Sequence, residues 1–127
     1  QIRLKKYIEI RCTFLYVEKE VYMGVIDNAV QWATDIANDD SHGYSQSVRW
    51  GPHYDCSSFV ITAYQNAGVP VKDNGATYTG DMYNVFISCG FEDVTSSCNL
   101  SNGAGTLKGD VLLNKAHHTA LFTCLNC

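Results

Sequence analysis

After Lys6 the sequence has no cluster of basic residues, and its formal net charge is −4. A nucleic-acid partner therefore has no electrostatic footprint here. No apolar run reaches the roughly 18–20 residues that a membrane-spanning helix needs. Arg3, Lys5 and Lys6 open the chain, but Glu9, Arg11, Glu18 and Lys19 interrupt any signal-like apolar stretch, so no export signal is visible. Internal repeats and low-complexity tracts are also missing. What remains is a chain of 127 residues, 46% hydrophobic and 12% aromatic. That composition fits one small globular domain with a modest core rather than a disordered segment.

Cysteine is not scarce: Cys12, Cys56, Cys89, Cys98, Cys124 and Cys127. An even count invites a disulfide framework. The chain is long enough to fold without staples and the spacings are irregular, so free thiols are expected.

Residues 1–22 differ in character from the rest. They are read as an N-terminal extension, a leader or a mis-started translation, with a genuine strand over IEIRCTFLY as the alternative. A helix is expected from Met23, with Ile26, Ala29, Val30, Ala33, Ile36 and Ala37 on one apolar face. NDDSHG (38–43) ends it. YSQSVRWGPHYD (44–55) is an aromatic-rich loop. CSSFVITAYQNAG follows with Phe59, Val60, Ala63, Tyr64 and Ala67 at helical spacing. Asp55 or Cys56 is the N-cap of this helix and Gly68 its stop. A short helix is expected from Thr79 to Cys89, strands over FEDVT, VLLN and HTALFTC, and a long polar loop over 96–110. Helices followed by strands give an α+β domain rather than alternating βαβ units.

Cys56 is the chemically pointed residue. A thiolate is the reactive form of cysteine, and a helix N-terminus favours negative charge. A nearby imidazole can take the thiol proton and return it to a leaving amine. Backbone N–H groups at the same helix start can hold an oxyanion. A histidine on a downstream strand is available in HHTALF. Each feature alone is weak: a lone cysteine before a helix is more often an inert packed residue. The joint order of DCSSFV, GDVLL and HHTALF carries the weight.

These residues carry a resemblance. DCSSFV resembles the Asp-Cys-Ser-Gly/Ser-apolar signature of the NlpC-type papain-like peptidoglycan hydrolases. KGDVLLN resembles the Gly-Asp-apolar strand before that family's histidine, and HTALF its His-x-Gly/Ala-apolar-aromatic strand. Over about residues 23–123 the chain is similar to phage-type amidohydrolases and endolysins of Gram-positive hosts. The resemblance implies a papain-like cysteine peptidase fold, with N-terminal helices packed on a small antiparallel β-sheet. It implies a catalytic domain over 23–127, with Cys56 as nucleophile and His118, not His117, as general base. Asp55, Ser57, Trp50 and Tyr54 would shape the cleft or touch substrate. The implied reaction is cleavage of an amide in bacterial peptidoglycan by a lysin acting on the cell wall of a bacterial or phage-infected cell. No cofactor, metal, nucleic acid or membrane is expected, and the chain is expected to be a monomer.

The family usually carries a third polar residue on the strand after the histidine, where it orients the imidazole. This sequence stops at Cys127, so the chain is read as incomplete at its C-terminal end. Other readings compete. Cys124 and Cys127 with His117 and His118 resemble half a zinc site, but such a site needs about four ordered ligands, and coincidence is favoured. Asp110 reads as a turn residue. Cys12, Cys89 and Cys98 read as structural. No motif selects His42 or His53 as a base, and Tyr44 with Tyr54 fits either a groove wall or a packing anchor. At the level of function, an inactive wall-binding module and an acyltransferase resembling transglutaminases are the alternatives.

Overall fold

The computed structural model describes residues 7–13 and 19–123. Its elements are β1 (Ile8–Cys12), α1 (Lys19–Ala37), α2 (Cys56–Asn66), α3 (Thr79–Ser88), β2 (Phe91–Asp93), a 3-10 turn (Thr95–Ser97), β3 (Val111–Asn114) and β4 (His118–Leu121). The strands form one antiparallel sheet in the order β2-β1-β3-β4. Three helices pack against it, so the fold is α+β.

α2 forms because both of its ends are stopped. The Asp55 carboxylate accepts the Ser58 N–H at 2.8 Å, and the Ser58 hydroxyl accepts the Asp55 N–H at 2.9 Å, a reciprocal capping box. At the other end the Gly68 N–H donates to the Gln65 carbonyl and the Val69 N–H to the Tyr64 carbonyl. This Schellman closure needs the positive φ of +105° that Gly68 supplies. Between the caps, Val60, Ile61, Ala63 and Tyr64 are buried.

The core gathers Ile26, Ala29 and Ala33 of α1, that face of α2, Met82 and Phe86 of α3, and Ile10, Cys12, Phe91, Val111 and Leu113 of the sheet. Tyr64, Phe86 and Phe91 meet edge to face, with ring centroids 4.8–6.3 Å apart. Burying one such ring contributes about 1.5–3 kcal/mol. Gly109, at φ +88°, lets the chain pass close to α1 and α2, because a Cβ there would lie 2.7 Å from Ile26 Cγ2 and 2.9 Å from the Tyr64 hydroxyl.

The structure redraws the N-terminal region. β1 lies inside the stretch 1–22 that reads as an extension, and it is an interior strand, paired with β2 on one side and β3 on the other. Ile10 and Cys12 face the core while Glu9 and Arg11 lie on the opposite face, where Glu9 is nevertheless fully buried. α1 opens at Lys19 rather than Met23. The order of helices first, then strands, is thus broken by a strand whose partners lie far along the chain, from Cys12↔Phe91 to Ile8↔Leu113. The apolar stripe of α1 also behaves differently at its end: Ala33 is buried, Ile36 half-buried and Ala37 exposed.

Candidate active site

The loop from Gly43 to Asp55 closes on itself. The Tyr54 N–H donates to the Gly43 carbonyl at 3.0 Å, and the Ser45 N–H to the Tyr54 carbonyl at 3.1 Å. This brings Tyr44 beside Tyr54 and delivers Asp55 to the start of α2. Trp32 of α1 braces the arrangement, with its ring centroid 5.4 Å from Tyr54 and 5.6 Å from Phe59.

Two cavities meet at that point. One, of about 390 Å³, is walled on its apolar side by Ile36, Ala37, Tyr54 and Phe59. The other, of about 370 Å³, is polar, with Gln46, Ser57, Tyr78, Thr79 and His117 in its wall. Tyr44, Asp55, Cys56 and His118 line both. Cys56 arrives there as the first residue of α2 and His118 as the first residue of β4. The two side chains are not hydrogen-bonded to each other in this structure.

Asp55 is heavily engaged. Its carboxylate accepts from the Ser58 N–H, the Ser57 hydroxyl at 3.0 Å, Arg49 Nε at 2.7 Å and Arg49 Nη2 at 3.2 Å. Partial burial pushes its pKa up, but the Arg49, Ser58 and Ser57 bonds outweigh that and hold it below the ordinary carboxylate value. Ser57 is 3% exposed, and its hydroxyl sits between Asp55 and Arg49, 2.8 Å from Nη2. Tyr54 lines the apolar cavity. Trp50 stands apart: it lines neither cavity, packs against the core, and lies under two cations, Arg49 at 4.7 Å and Lys72 at 4.3 Å from its ring centroid.

The other histidines have separate attachments. His53 Nδ1 accepts the Gly43 N–H at 2.9 Å. His42 bonds the Pro52 carbonyl through Nδ1, and its Nε2 lies 3.6 Å from Asp39. Among the cysteines, Cys12, Cys56, Cys89 and Cys98 are free thiols. Burial pushes Cys12 up to about 12, which makes it inert. Cys124 and Cys127, and with them the half-zinc reading, lie outside the described residues.

No sequence motif marks Arg49, Gln46 or Tyr78 as cleft residues, and Thr79 is marked only as the start of a helix. Ile36 and Ala37, at the end of the apolar face of α1, line the apolar cavity where the helix runs past the core. The one available signal for Arg49 is its charge, six positions before a capping aspartate. Nothing local marks Tyr78 and Thr79, because their place in the wall comes from a loop fixed to Arg49.

The fold and site define an α+β domain with a thiol at a helix start and an imidazole at a facing strand, around a shared cleft. The endolysin-like domain family matches residues 51–124, more than half of the 127 residues, and the chain belongs to that family. No curated protein and no solved structure matches it. No helix among the described residues is long and apolar enough to cross a membrane.

Proposed function

We propose that this domain is a cysteine-dependent hydrolase of bacterial peptidoglycan, of the kind phage lysins use to open the cell wall. The endolysin-like family supports the substrate class. The single observation that carries the chemistry is that Cys56 and His118, from separate elements, line the same two cavities. A nucleophile helix packed on a sheet that carries the base is the papain-like arrangement, and that assignment belongs to the same reading. The catalytic domain then takes in β1, because residues 23–127 alone would leave out an interior strand.

In this mechanism His118 takes the thiol proton and Cys56 attacks an amide carbonyl of the wall. The first turn of α2 offers N–H groups without intrahelical partners to the oxyanion; the Ser58 N–H is already held by Asp55. The C–N bond breaks as the imidazolium protonates the leaving amine, giving a thioester. His118 then deprotonates a water, which attacks the thioester and releases a carboxylate and the free thiol.

The test is cleavage of purified Gram-positive cell walls, followed by turbidity and by the release of new amines. Cys56→Ala and His118→Ala should each lower the rate by about a thousandfold or more. Undiminished clearing by Cys56→Ala would overturn the assignment, and wild-type binding without cleavage would make the domain a wall-binding module. Mass spectrometry of the products separates a stem-peptide endopeptidase from an N-acetylmuramoyl-L-alanine amidase.

A further inference from the structure

A carboxylate directly before a nucleophilic cysteine is an electrostatic problem. Asp55 precedes Cys56, lines both cavities with it and is held ionised. A negative charge near a thiol opposes formation of its thiolate. The first turn of α2 works in the opposite sense, but the Asp55 carboxylate already occupies one of its N–H groups.

Arg49 faces this carboxylate with both prongs of its guanidinium, and the pair is largely shielded, with 19% and 13% of the two side chains exposed. Nη2 also donates to the Ser57 hydroxyl and to the Thr77 carbonyl. Thr77 in turn precedes Tyr78 and Thr79 in the wall of the polar cavity, and Asp81 accepts the N–H groups of Thr77 and Tyr78. One side chain therefore joins three segments: the loop before α2, the first turn of α2, and the loop before α3.

We infer that Arg49 is a charge-compensating and positioning residue for Cys56, cancelling the Asp55 carboxylate beside the thiol while fixing both walls of the polar cavity. This rests on the proposed role of Cys56 as nucleophile and adds the residue that balances the acid before it in the chain. The other titratable groups facing the cleft are His118 and His117 from the β3–β4 turn and strand, His42 from the loop after α1, and the phenols of Tyr44, Tyr54 and Tyr78. Arg49 lines neither cavity itself and acts on the cleft through Asp55 and Ser57.

The role has a signature that a purely structural one lacks, because charge effects have a sign. The full chain is treated with iodoacetamide at pH 7 and low salt, and modification of Cys56 is timed by peptide mass spectrometry. Cys12, 1% exposed, is the internal reporter of unfolding. Arg49→Gln should slow alkylation of Cys56 about threefold to tenfold, the size of one nearby charge at intermediate dielectric. Asp55→Asn, which keeps a side chain competent to cap, should speed it by a similar factor. The double variant should return to within about twofold of wild type, and Arg49→Lys should fall between wild type and Arg49→Gln, since it keeps the charge but loses the fork. High salt should compress all of these differences.

An unchanged rate in Arg49→Gln overturns the inference. So does slowing by both single variants with further slowing in the double, the pattern of a lost scaffold. If Arg49→Gln exposes Cys12, Asp55→Asn carries the test alone, and failure to accelerate refutes the idea. The readout needs no substrate, so it is separable from failure of the hydrolase reading, which shows in Cys56→Ala on cell walls.

Discussion

Two arginine–aspartate pairs in this molecule are built almost alike. Arg49 grips Asp55 at 2.7 and 3.2 Å, and Arg11 grips Asp110 at 2.8 and 2.9 Å. Each arginine adds a backbone carbonyl as a third anchor, Thr77 in one case and Gly105 in the other. They differ in company. Asp55 is surrounded by hydroxyls and N–H groups at the rim of a cleft. Asp110 is fully buried beside a second buried carboxyl, Glu9. Glu9 Oε1 accepts the Thr106 hydroxyl, while its buried Oε2 has no hydrogen-bond partner. Burial, with Asp110 next to it, pushes Glu9 up to about 7. The same ion pair thus balances one charge at the cleft, and at the far end of the sheet leaves one carboxyl over. A proton on Glu9 resolves that surplus by giving Oε2 a hydrogen to donate toward Asp110.

The largest expected effect comes from breaking the far pair. Arg11→Met leaves Asp110 and Glu9 buried without their cation. Removing one partner of a buried pair typically costs about 3–5 kcal/mol. Urea unfolding at pH 7 should show a loss of that size, shrinking as the pH falls and Glu9 takes up its proton. An effect below about 1 kcal/mol at pH 7 would mean that the two pairs are equivalent after all.

Glu9 supplies the next test, and its sign follows from linkage. The unfolded chain releases this proton near 4.5, whereas the folded chain holds it to about 7. Folding is therefore favoured below 4.5, and that advantage is lost as the pH rises from 4.5 to 7. Above 7 both states are ionised, and the folded one carries the full cost of a second buried charge. Glu9→Gln keeps the shape and supplies an N–H in place of the proton. It should remove this downward slope and be more stable than wild type at pH 8, with little difference at pH 4. A variant less stable than wild type at pH 8 would show that the carboxylate is wanted.

The contrast also separates what the sequence reveals from what it conceals. The cleft pair is local: six positions separate Arg49 from Asp55, and the capping aspartate, the helix of Phe59–Tyr64 and its glycine stop follow from short-range rules. VLLN is the observed β3, and HTALFTC begins as β4. Cys56 and His118 came from joint motif order rather than from geometry. The far pair spans 99 positions. Glu9 on its own reads as an interruption of an apolar stretch, and only Arg11, Thr106 and Asp110 folded over it explain its burial. For the same reason β1 was legible as a strand, yet nothing local could place it between β2 and β3. Trp50 shows the converse failure: the family resemblance puts it at the cleft, but two cations and the core hold it elsewhere.

A third pair supplies the solvent baseline. Lys108 Nζ lies 2.9 Å from Asp27 Oδ1, with 48% and 53% of the side chains exposed, and it joins the chain before β3 to α1. Its position makes it look like a tether. Gly109, next in sequence, already fixes that approach, since the chain passes Ile26 and Tyr64 too closely for any Cβ. The ion pair is then a consequence of packing rather than its cause, and an exposed pair contributes only about 0–1 kcal/mol. Lys108→Ala should change stability by less than about 0.5 kcal/mol, and less still in high salt. A loss comparable to that of Arg11→Met would mean that charge, not the close contact at Gly109, holds this segment to α1. The graded order of the ion pairs by burial would then fail.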